Sequence, residues 1–373
     1  MKENRKTWKV VVCGTGFGTF YMEAIKSKYP HFELVGLVAR GSERSIKCAN
    51  HYGIPLYHSV EEVPQDIDLA CVVIRSSSLG GIGTDMSIAF LERGIHVILE
   101  QPVHYEDLKE CTKVAMKNKC CFMTGDLYLN TPEIRRFIQM CEFLKKQGEE
   151  IEFLKIASCV QAFYPFVEIL QQLFPGVKVD CDYVGPQVGN FKQVTGKIGK
   201  IPFSFQYNNT MNPLDPDNHM QLLHSFCVYY QSGRLELVDT RGPLIWYPRL
   251  NMPWSVLDEG GLPEKYPDHM NLSCVQVITP DINQLDKPYY EFVEKAWIKD
   301  IGRDLDKIYE MNQNKKLFLI KAQQEYKSSK QWNDLTQKLG YASLDATLDP
   351  KPLINQEIRV AGILPEEKCN ENR

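Results

Sequence analysis

The chain has 373 residues, of which 43% are apolar and 24% charged, with a formal net charge of −4. That length suits two domains with ample material for cores. The small acidic excess gives no support for general nucleic-acid binding, and no apolar run approaches the length of a membrane span.

In chain order, apolar strand-like runs recur at Val10 to Cys13, Leu34 to Val38, Leu69 to Ile74, His96 to Leu99 and Cys121 to Thr124. Helix-like segments separate them at Phe20 to Lys28, Glu43 to Tyr52, Thr84 to Arg93 and Glu106 to Asn118. Gly53 and Gly94 follow two of these as helix stops do. Such alternation predicts an N-terminal doubly wound parallel sheet of the Rossmann kind, with ligands beyond the C-terminal strand ends. The texture changes after Asp126. Pro132 to Lys146 reads as an amphipathic helix, Ile151 to Val160 as a strand and Tyr164 to Leu173 as a helix. The β-like runs Asn190 to Thr195, Ile201 to Asn208, Leu222 to Tyr230 and Arg234 to Asp239 then follow without intervening helices, the pattern of a mixed or antiparallel sheet. Pro248 to Pro280 looks irregular, Tyr289 to Lys327 reads as one long helix, and the tail beyond Pro350 as loosely held. The fold class is therefore α/β. Residues 1–125 form a nucleotide-binding Rossmann domain, and 126–373 an α+β domain on a large mixed sheet, with substrate in the cleft between them.

The first strand-like run ends in Gly14, Thr15, Gly16, Phe17 and Gly18, and a helix follows. Strand, glycine turn, helix, strand is what a dinucleotide pyrophosphate needs: a tight turn, close backbone approach and the free N–H groups of a helix N-terminus. The strict G-x-G-x-x-G spacing would put glycine or alanine at Thr19, so Gly18 comes one place early. No acid closes the second run to accept a ribose 2′-hydroxyl. Arg40, Ser42, Arg44 and Ser45 stand there instead, which favours the 2′-phosphate of NADPH/NADP+, although Glu43 leaves an ordinary solvated loop open. Arg75 and the Glu100-Gln101-Pro102 run close two further strands on the cofactor side, and Gly80, Gly81 and Gly83 precede a helix and could let backbone approach the cofactor.

None of the twelve cysteines forms a C-x-x-C pair. Cys13, Cys71, Cys121, Cys159 and Cys227 lie in apolar runs, as buried thiols do. With no signal-peptide core behind the basic N-terminus, the reducing cytoplasm is the expected compartment. The eight histidines show no metal-ligand spacing, and no metal is expected.

The layout, with Glu100-Gln101-Pro102 closing the fourth run, resembles the Gfo/Idh/MocA oxidoreductases, which commonly carry Glu-Lys-Pro there with a lysine that acts on substrate. Glutamine at 101 cannot exchange a proton usefully near neutral pH. The segments CGTGFGTFY, FELVGLVARGSERS, DLACVVIRSSSLGGIGTDM, ERGIHVILEQPVH, NPLDPDNHMQLLH and RGPLIWYPRLNMP are similar to thiazolinyl imine reductases, from about Lys9 to Pro253. That resemblance implies NADPH-dependent reduction of a thiazoline C=N to a thiazolidine, on an intermediate tethered to a carrier-protein domain of a non-ribosomal peptide synthetase, in siderophore-type pathways. It also implies a homodimer, and neither nucleic acid nor membrane as partner. The reaction needs a proton for nitrogen. Tyr128 and His104 are the candidates; Tyr128 could equally be an aromatic hinge residue, and His104 a polar residue at a helix start. Asn218 and His219, within the Asp215 to His224 polar set, could orient the ring or simply build turns. Two other readings remain: a dehydrogenase or reductase of a free small molecule, and a non-catalytic NADP-binding regulator.

Overall fold

A computed structural model describes residues 6–74, 80–250, 260, 265–280, 288–351, 353, 357–358 and 361–362. The first part runs β1 (Trp8–Cys13), α1 (Gly18–Ser27), β2 (Phe32–Val38), α2 (Glu43–Tyr52), β3 (Leu56–Tyr57), β4 (Leu69–Val72), α3 (Ile82–Glu92), β5 (His96–Leu99), α4 (Tyr105–Lys117) and β6 (Phe122–Thr124). Its six strands are parallel in the order β3-β2-β1-β4-β5-β6. Helices cover both faces, so Val10, Val11, Val12 and Cys13 are all fully buried and the strand reads as an unbroken apolar run. Chain order reverses between β1 and β4, which opens the ligand crevice above their C-terminal ends. Ser42 caps α2 by accepting from the Ser45 N–H, and Gly53 ends that helix in the left-handed region at φ 65°.

The chain then passes through α5 (Leu127–Asn130) and α6 (Pro132–Lys146), whose Ile134, Phe137, Cys141 and Leu144 make one buried stripe. Next come β7 (Ile151–Cys159), α7 (Phe163–Leu173), β8 (Val179–Val188), β9 (Phe191–Ile198), β10 (Ile201–Asn208), β11 (Thr210–Met211), β12 (His224–Tyr230), β13 (Gly233–Leu237), β14 (Leu244–Pro248) and β15 (Gln276–Val277). Eight of these form a sheet ordered β15-β14-β13-β12-β7-β10-β9-β8. All its pairs are antiparallel except β7 with β10. The sequence pattern hides β8, because Asp180, Asp182, Gly185 and Pro186 interrupt it. The structure puts that strand at the sheet edge and shifts its register twice, which is where such residues are tolerated.

The stretch expected as one long helix is divided. A short α8 (Tyr289–Glu291) leads into a π-helical segment, Phe292–Trp297, then α9 (Ile298–Gln313) and α10 (Lys315–Leu339). Asn314 breaks the run and caps α10 by accepting from the Lys316 N–H at 3.1 Å. A final β16 (Ser343–Leu344) pairs with β11. Ile301, Leu305 and Ile308 of α9, with Met311 and Phe318, pack into the first core beside Met22 and Ile25, so residues 298–318 complete the N-terminal unit although they follow the second one in sequence. Leu335 and Leu339 at the far end of α10 belong to the second core, which makes this helix a strut between the two. Cys13, Cys71, Cys121, Cys159 and Cys227 are all buried free thiols. No helix among the described residues is long and apolar enough to cross a membrane.

Candidate functional site

The glycine turn between β1 and α1 divides its work among three positions. Gly14 sits at φ +97°, and a Cβ there would lie 2.6 Å from the Val73 carbonyl oxygen. Gly16 has nothing within 4 Å of the Cβ position, so its face lies open. Gly18 is the first residue of α1, and its Cβ would press Val12 Cγ1 at 3.2 Å. Tight turn, open approach and close helix-to-strand contact are what a pyrophosphate loop requires, achieved here with the third glycine one place early. Thr19 fits without strain because its hydroxyl donates to the Thr15 carbonyl at 3.0 Å. No side chain caps the N-terminus of α1, and no acid lies in its first turn, which leaves an N–H-rich end for an anion.

Beyond β2, Arg44 donates from Nη2 to the Thr15 carbonyl at 2.9 Å, which holds its guanidinium over the glycine loop. Arg40 is exposed on the same rim. Glu43, the acid that left the loop reading open, is paired with Lys47. Ser45 takes a different part from the one expected of a phosphate ligand. It is 1% exposed and its hydroxyl donates to the Ser42 carbonyl at 2.7 Å, so it belongs to the helix cap. Arg75 lies outside the described residues.

A cleft of about 1130 Å³ joins this loop to the second sheet. Gly16, Phe17, Glu100, Gln101 and Pro102 line one side; Tyr128, Tyr164, Asn218, His219, Asp239 and Arg241 line the other. The cleft thus brings Gly16, Phe17, Glu100, Gln101 and Pro102 together with Tyr128, Asn218 and His219, whereas Gly14, Thr15, Gly18, Arg40, Ser42, Arg44, Ser45 and His104 do not line it. The structure makes His104 the N-cap of α4, where Nδ1 accepts from the Glu106 N–H at 3.3 Å, and it does not line the cleft. A capping residue needs a side-chain acceptor at that point, and the imidazole supplies it.

Tyr128 sits on α5 at the crossing between domains. Its ring meets the His224 ring edge-on at 5.0 Å. His224 is itself fully buried, bonded through Nε2 to the Ala162 carbonyl at 2.9 Å and through Nδ1 to the Thr240 hydroxyl at 2.8 Å. Burial pushes its pKa down to about 4, so it is a neutral wall. Burial pushes the Tyr128 phenol upward, keeping it protonated through the neutral range, while the Arg241 charge pulls the other way. Asn218 and His219 share one carboxylate. Asn218 Nδ2 donates to Asp215 Oδ1 at 2.8 Å, and His219 Nε2 lies 3.1 Å from Asp215 Oδ2. His219 also occupies φ 66°, uncommon for a residue with a Cβ, as side chains held for a purpose often do.

Glu100 accepts from the Tyr21 hydroxyl at 2.7 Å. The residue keeps some surface on the cleft, but its carboxyl is enclosed, and burial with the nearby Asp304 raises its pKa to about 7. Gln101 donates from Nε2 to the Gly125 carbonyl, so the residue in the usual lysine position is tied to the end of β6. Behind it lies a buried charge network that sequence reading missed. Asp126, 2% exposed, accepts from Lys307 at 2.9 Å and Lys321 at 2.7 Å. Burial opposes its ionisation, but the two ammonium groups prevail and hold it at about 2. Glu325 accepts from the Thr124 N–H at 2.8 Å and pairs with Lys321 at 3.1 Å. Asp304 accepts from the Asp126 N–H at 2.9 Å and from Asn130 Nδ2 at 2.7 Å. The inter-domain crossing is thus bolted to α9 and α10. Among the described residues no cluster of ligands suits a metal ion.

Residues 8–126 match the family model for Gfo/Idh/MocA oxidoreductases, NAD-binding Rossmann fold. Residues 149–247 match the model for the C-terminal domain of thiazolinyl imine reductases of the Irp3-like kind. The chain is an oxidoreductase of the Gfo/Idh/MocA type with an Irp3-like C-terminal domain. The oxidoreductase has an NAD(P)-binding Rossmann unit, and the glycine turn described above lies within it. No curated protein matches the chain by sequence. Solved structures share its fold at low identity. The dehydrogenase MviM from Clostridium difficile is 13% identical with a TM-score of 0.60, over 89% of this chain and 100% of that one. GenD2 from gentamicin A biosynthesis, in complex with NAD, is 10% identical with a TM-score of 0.58, over 90% and 94%. The 3-ketoreductase KijD10 from Actinomadura kijaniata, in complex with NADP and TDP-benzene, is 11% identical with a TM-score of 0.61, over 91% and 99%.

Proposed function

We propose that this oxidoreductase reduces a thiazoline C=N to a thiazolidine with NADPH, on an intermediate tethered to a carrier-protein domain of a non-ribosomal peptide synthetase. The observation that carries the reading is the Irp3-like match over 149–247, joined to a cleft whose two walls are the glycine loop and that matched domain. Tyr128, Tyr164, Tyr289, Trp297 and Trp332 give the cleft an aromatic lining suited to a flat heterocycle. NADPH is favoured over NADH by Arg40 and Arg44 beyond β2, and by the Lys47 partner that occupies Glu43.

Bound NADPH supplies the hydride that adds to the imine carbon. Gly14, Gly16 and Gly18 would hold the pyrophosphate and Arg44 the 2′-phosphate. The imine nitrogen gains basicity as the carbon is reduced, and Tyr128 gives it the proton; the phenolate then recovers its proton from water. The balance is thiazoline, NADPH and one solvent proton to thiazolidine and NADP+. Asn218 and His219, fixed by Asp215, orient the ring. Gln101 hydrogen-bonds without exchanging a proton, which suits a reaction that has no alcohol to deprotonate. The carrier domain as partner, a homodimer and a cytoplasmic, siderophore-type role belong to the same proposal.

The test is nicotinamide absorbance with NADPH and a 2-arylthiazoline thioester, offered both free and carrier-bound. NADPH oxidation with appearance of the thiazolidine supports the reading. Tyr128→Phe should then lower kcat by about 10²- to 10⁴-fold with NADPH affinity unchanged. No oxidation of NADPH with either substrate would overturn the reaction, and an undiminished Tyr128→Phe would overturn the proton donor.

A further inference from the structure

Arg241 stands in the loop between β13 and β14, on the cleft wall opposite the glycine turn. Its guanidinium carbon lies 4.5 Å from the ring centroid of Tyr289 and 4.1 Å from that of Phe292. Stacking of this kind fixes the guanidinium plane and leaves its N–H edge for hydrogen bonds. Its Nε is buried and meets no acceptor among the described residues. The Asp239 carboxylate, also on the cleft wall, accepts from the Leu223 and Thr240 N–H groups and makes no ion pair with Arg241. Among the described residues lining the cleft, Arg241 is the only lysine or arginine.

A planar cation held against two aromatic rings, with a buried donor unmatched and, among the described residues, no carboxylate in ion-pair contact, is costly to maintain. An anion brought in by the ligand completes it. We propose that Arg241 is the receptor for an oxyanion carried by the substrate, a carboxylate or phosphate accepting from the guanidinium edge. This rests on reading the cleft as the reductase site and names the group by which that site recognises its substrate. Two sources have the required chemistry: a carboxylate on the heterocycle, or the phosphodiester of a pantetheine tether. Tyr128 lies within the reach of the Arg241 charge, so an anion held there stays beside the reacting ring.

Binding to the enzyme–NADP+ complex, measured by calorimetry, separates these cases. The probes are a 2-arylthiazoline-4-carboxylate, its methyl ester, its N-acetylcysteamine thioester and its phosphopantetheinyl thioester. Wild type should bind at least one anionic probe about 10- to 100-fold tighter than the neutral ester. Arg241→Met should abolish that preference while NADP+ still binds, which also reports that the variant is folded. Arg241→Lys, which keeps the charge without the planar fork, should retain only part of it. A preference confined to the carboxylate identifies the ring substituent, and one confined to the phosphopantetheinyl probe identifies the tether. Equal binding of charged and neutral probes by wild type, or a preference that survives in Arg241→Met, would overturn the proposal. Failure of the reductase reading shows itself separately, as tight binding of probes with no oxidation of NADPH.

Discussion

Glu100→Gln is expected to flatten the pH dependence of stability. In the folded protein, burial first and Asp304 second raise the Glu100 carboxyl from its ordinary value of 4.5 to about 7. The native state therefore keeps a proton that the unfolded chain loses. Its stabilising share is complete below pH 4.5 and is lost as pH rises through about 7. A fully dry carboxyl with that shift would forfeit about 3 kcal/mol. Water on the cleft side screens part of this, which leaves roughly 1 to 2 kcal/mol between pH 5 and 8. Glutamine keeps the shape and still accepts from the Tyr21 hydroxyl, but has no charge to bury. Thermal melts of wild type and Glu100→Gln at pH 5 and pH 8 isolate the group, because Asp300 and Asp304, which also have raised pKa values, titrate in both proteins. The gap between the two proteins should shift toward the variant by about 1 to 3 °C on going to pH 8. Parallel pH profiles would refute the reasoning and show that Glu100 ionises as an ordinary carboxyl.

Arg44→Ala should raise the dissociation constant for NADPH by about tenfold and leave NADH binding unchanged, as read by fluorescence titration. Equal losses for both cofactors would show that Arg44 only supports the loop through the Thr15 carbonyl. Asp126→Asn removes the shared partner of Lys307 and Lys321 and leaves two ammonium groups facing each other, so urea unfolding should register a loss of about 3 to 5 kcal/mol. His104→Ala should cost under about 1 kcal/mol, through the lost cap of α4, with kcat unchanged.

Much of the first unit is legible in the sequence because a doubly covered strand has to be an apolar run and a pyrophosphate turn has to carry glycines. Val10 to Cys13 and Gly14 to Gly18 show both. The spacing departure at Thr19 also resolves locally, through the threonine hydroxyl and the Thr15 carbonyl. The edge strand β8 escapes because an edge tolerates Asp182 and Pro186, which erase the alternation on which strand reading depends. The return of α9 to the first core escapes for another reason. Ile301, Leu305 and Ile308 announce a helix with one apolar stripe, but a stripe does not say which of two cores it faces. The network at Asp126 is held by contacts 181 and 195 residues distant in sequence, to Lys307 and Lys321, and neither lysine differs in local pattern from a solvated helical one. Arg241 belonged to a motif quoted for resemblance, RGPLIWYPRLNMP, yet only the rings of Tyr289 and Phe292 make it a fixed cation.

Gln101 and the charge network bear on one another. A lysine at position 101 would bring a third ammonium group toward a floor where Lys307 and Lys321 already neutralise Asp126 and Glu325. Those two lysines cannot move to serve the cleft without uncovering buried carboxylates at a cost of several kcal/mol. Their charge is structural, and it fixes the crossing that carries Tyr128. With Gln101 tied to Gly125, the described residues of the floor offer directional hydrogen bonds and no mobile cation. Among the described residues, positive charge in the cleft lining is left to Arg241 on the opposite wall. In the proposed reaction, proton delivery and substrate recognition fall to different elements facing that floor: the protonated phenol of Tyr128 on α5, and the oxyanion receptor Arg241 in the loop between β13 and β14. It follows that Gln101→Lys should lose stability in urea unfolding, because the Lys307 and Lys321 charges behind it disfavour a further ammonium group on that floor.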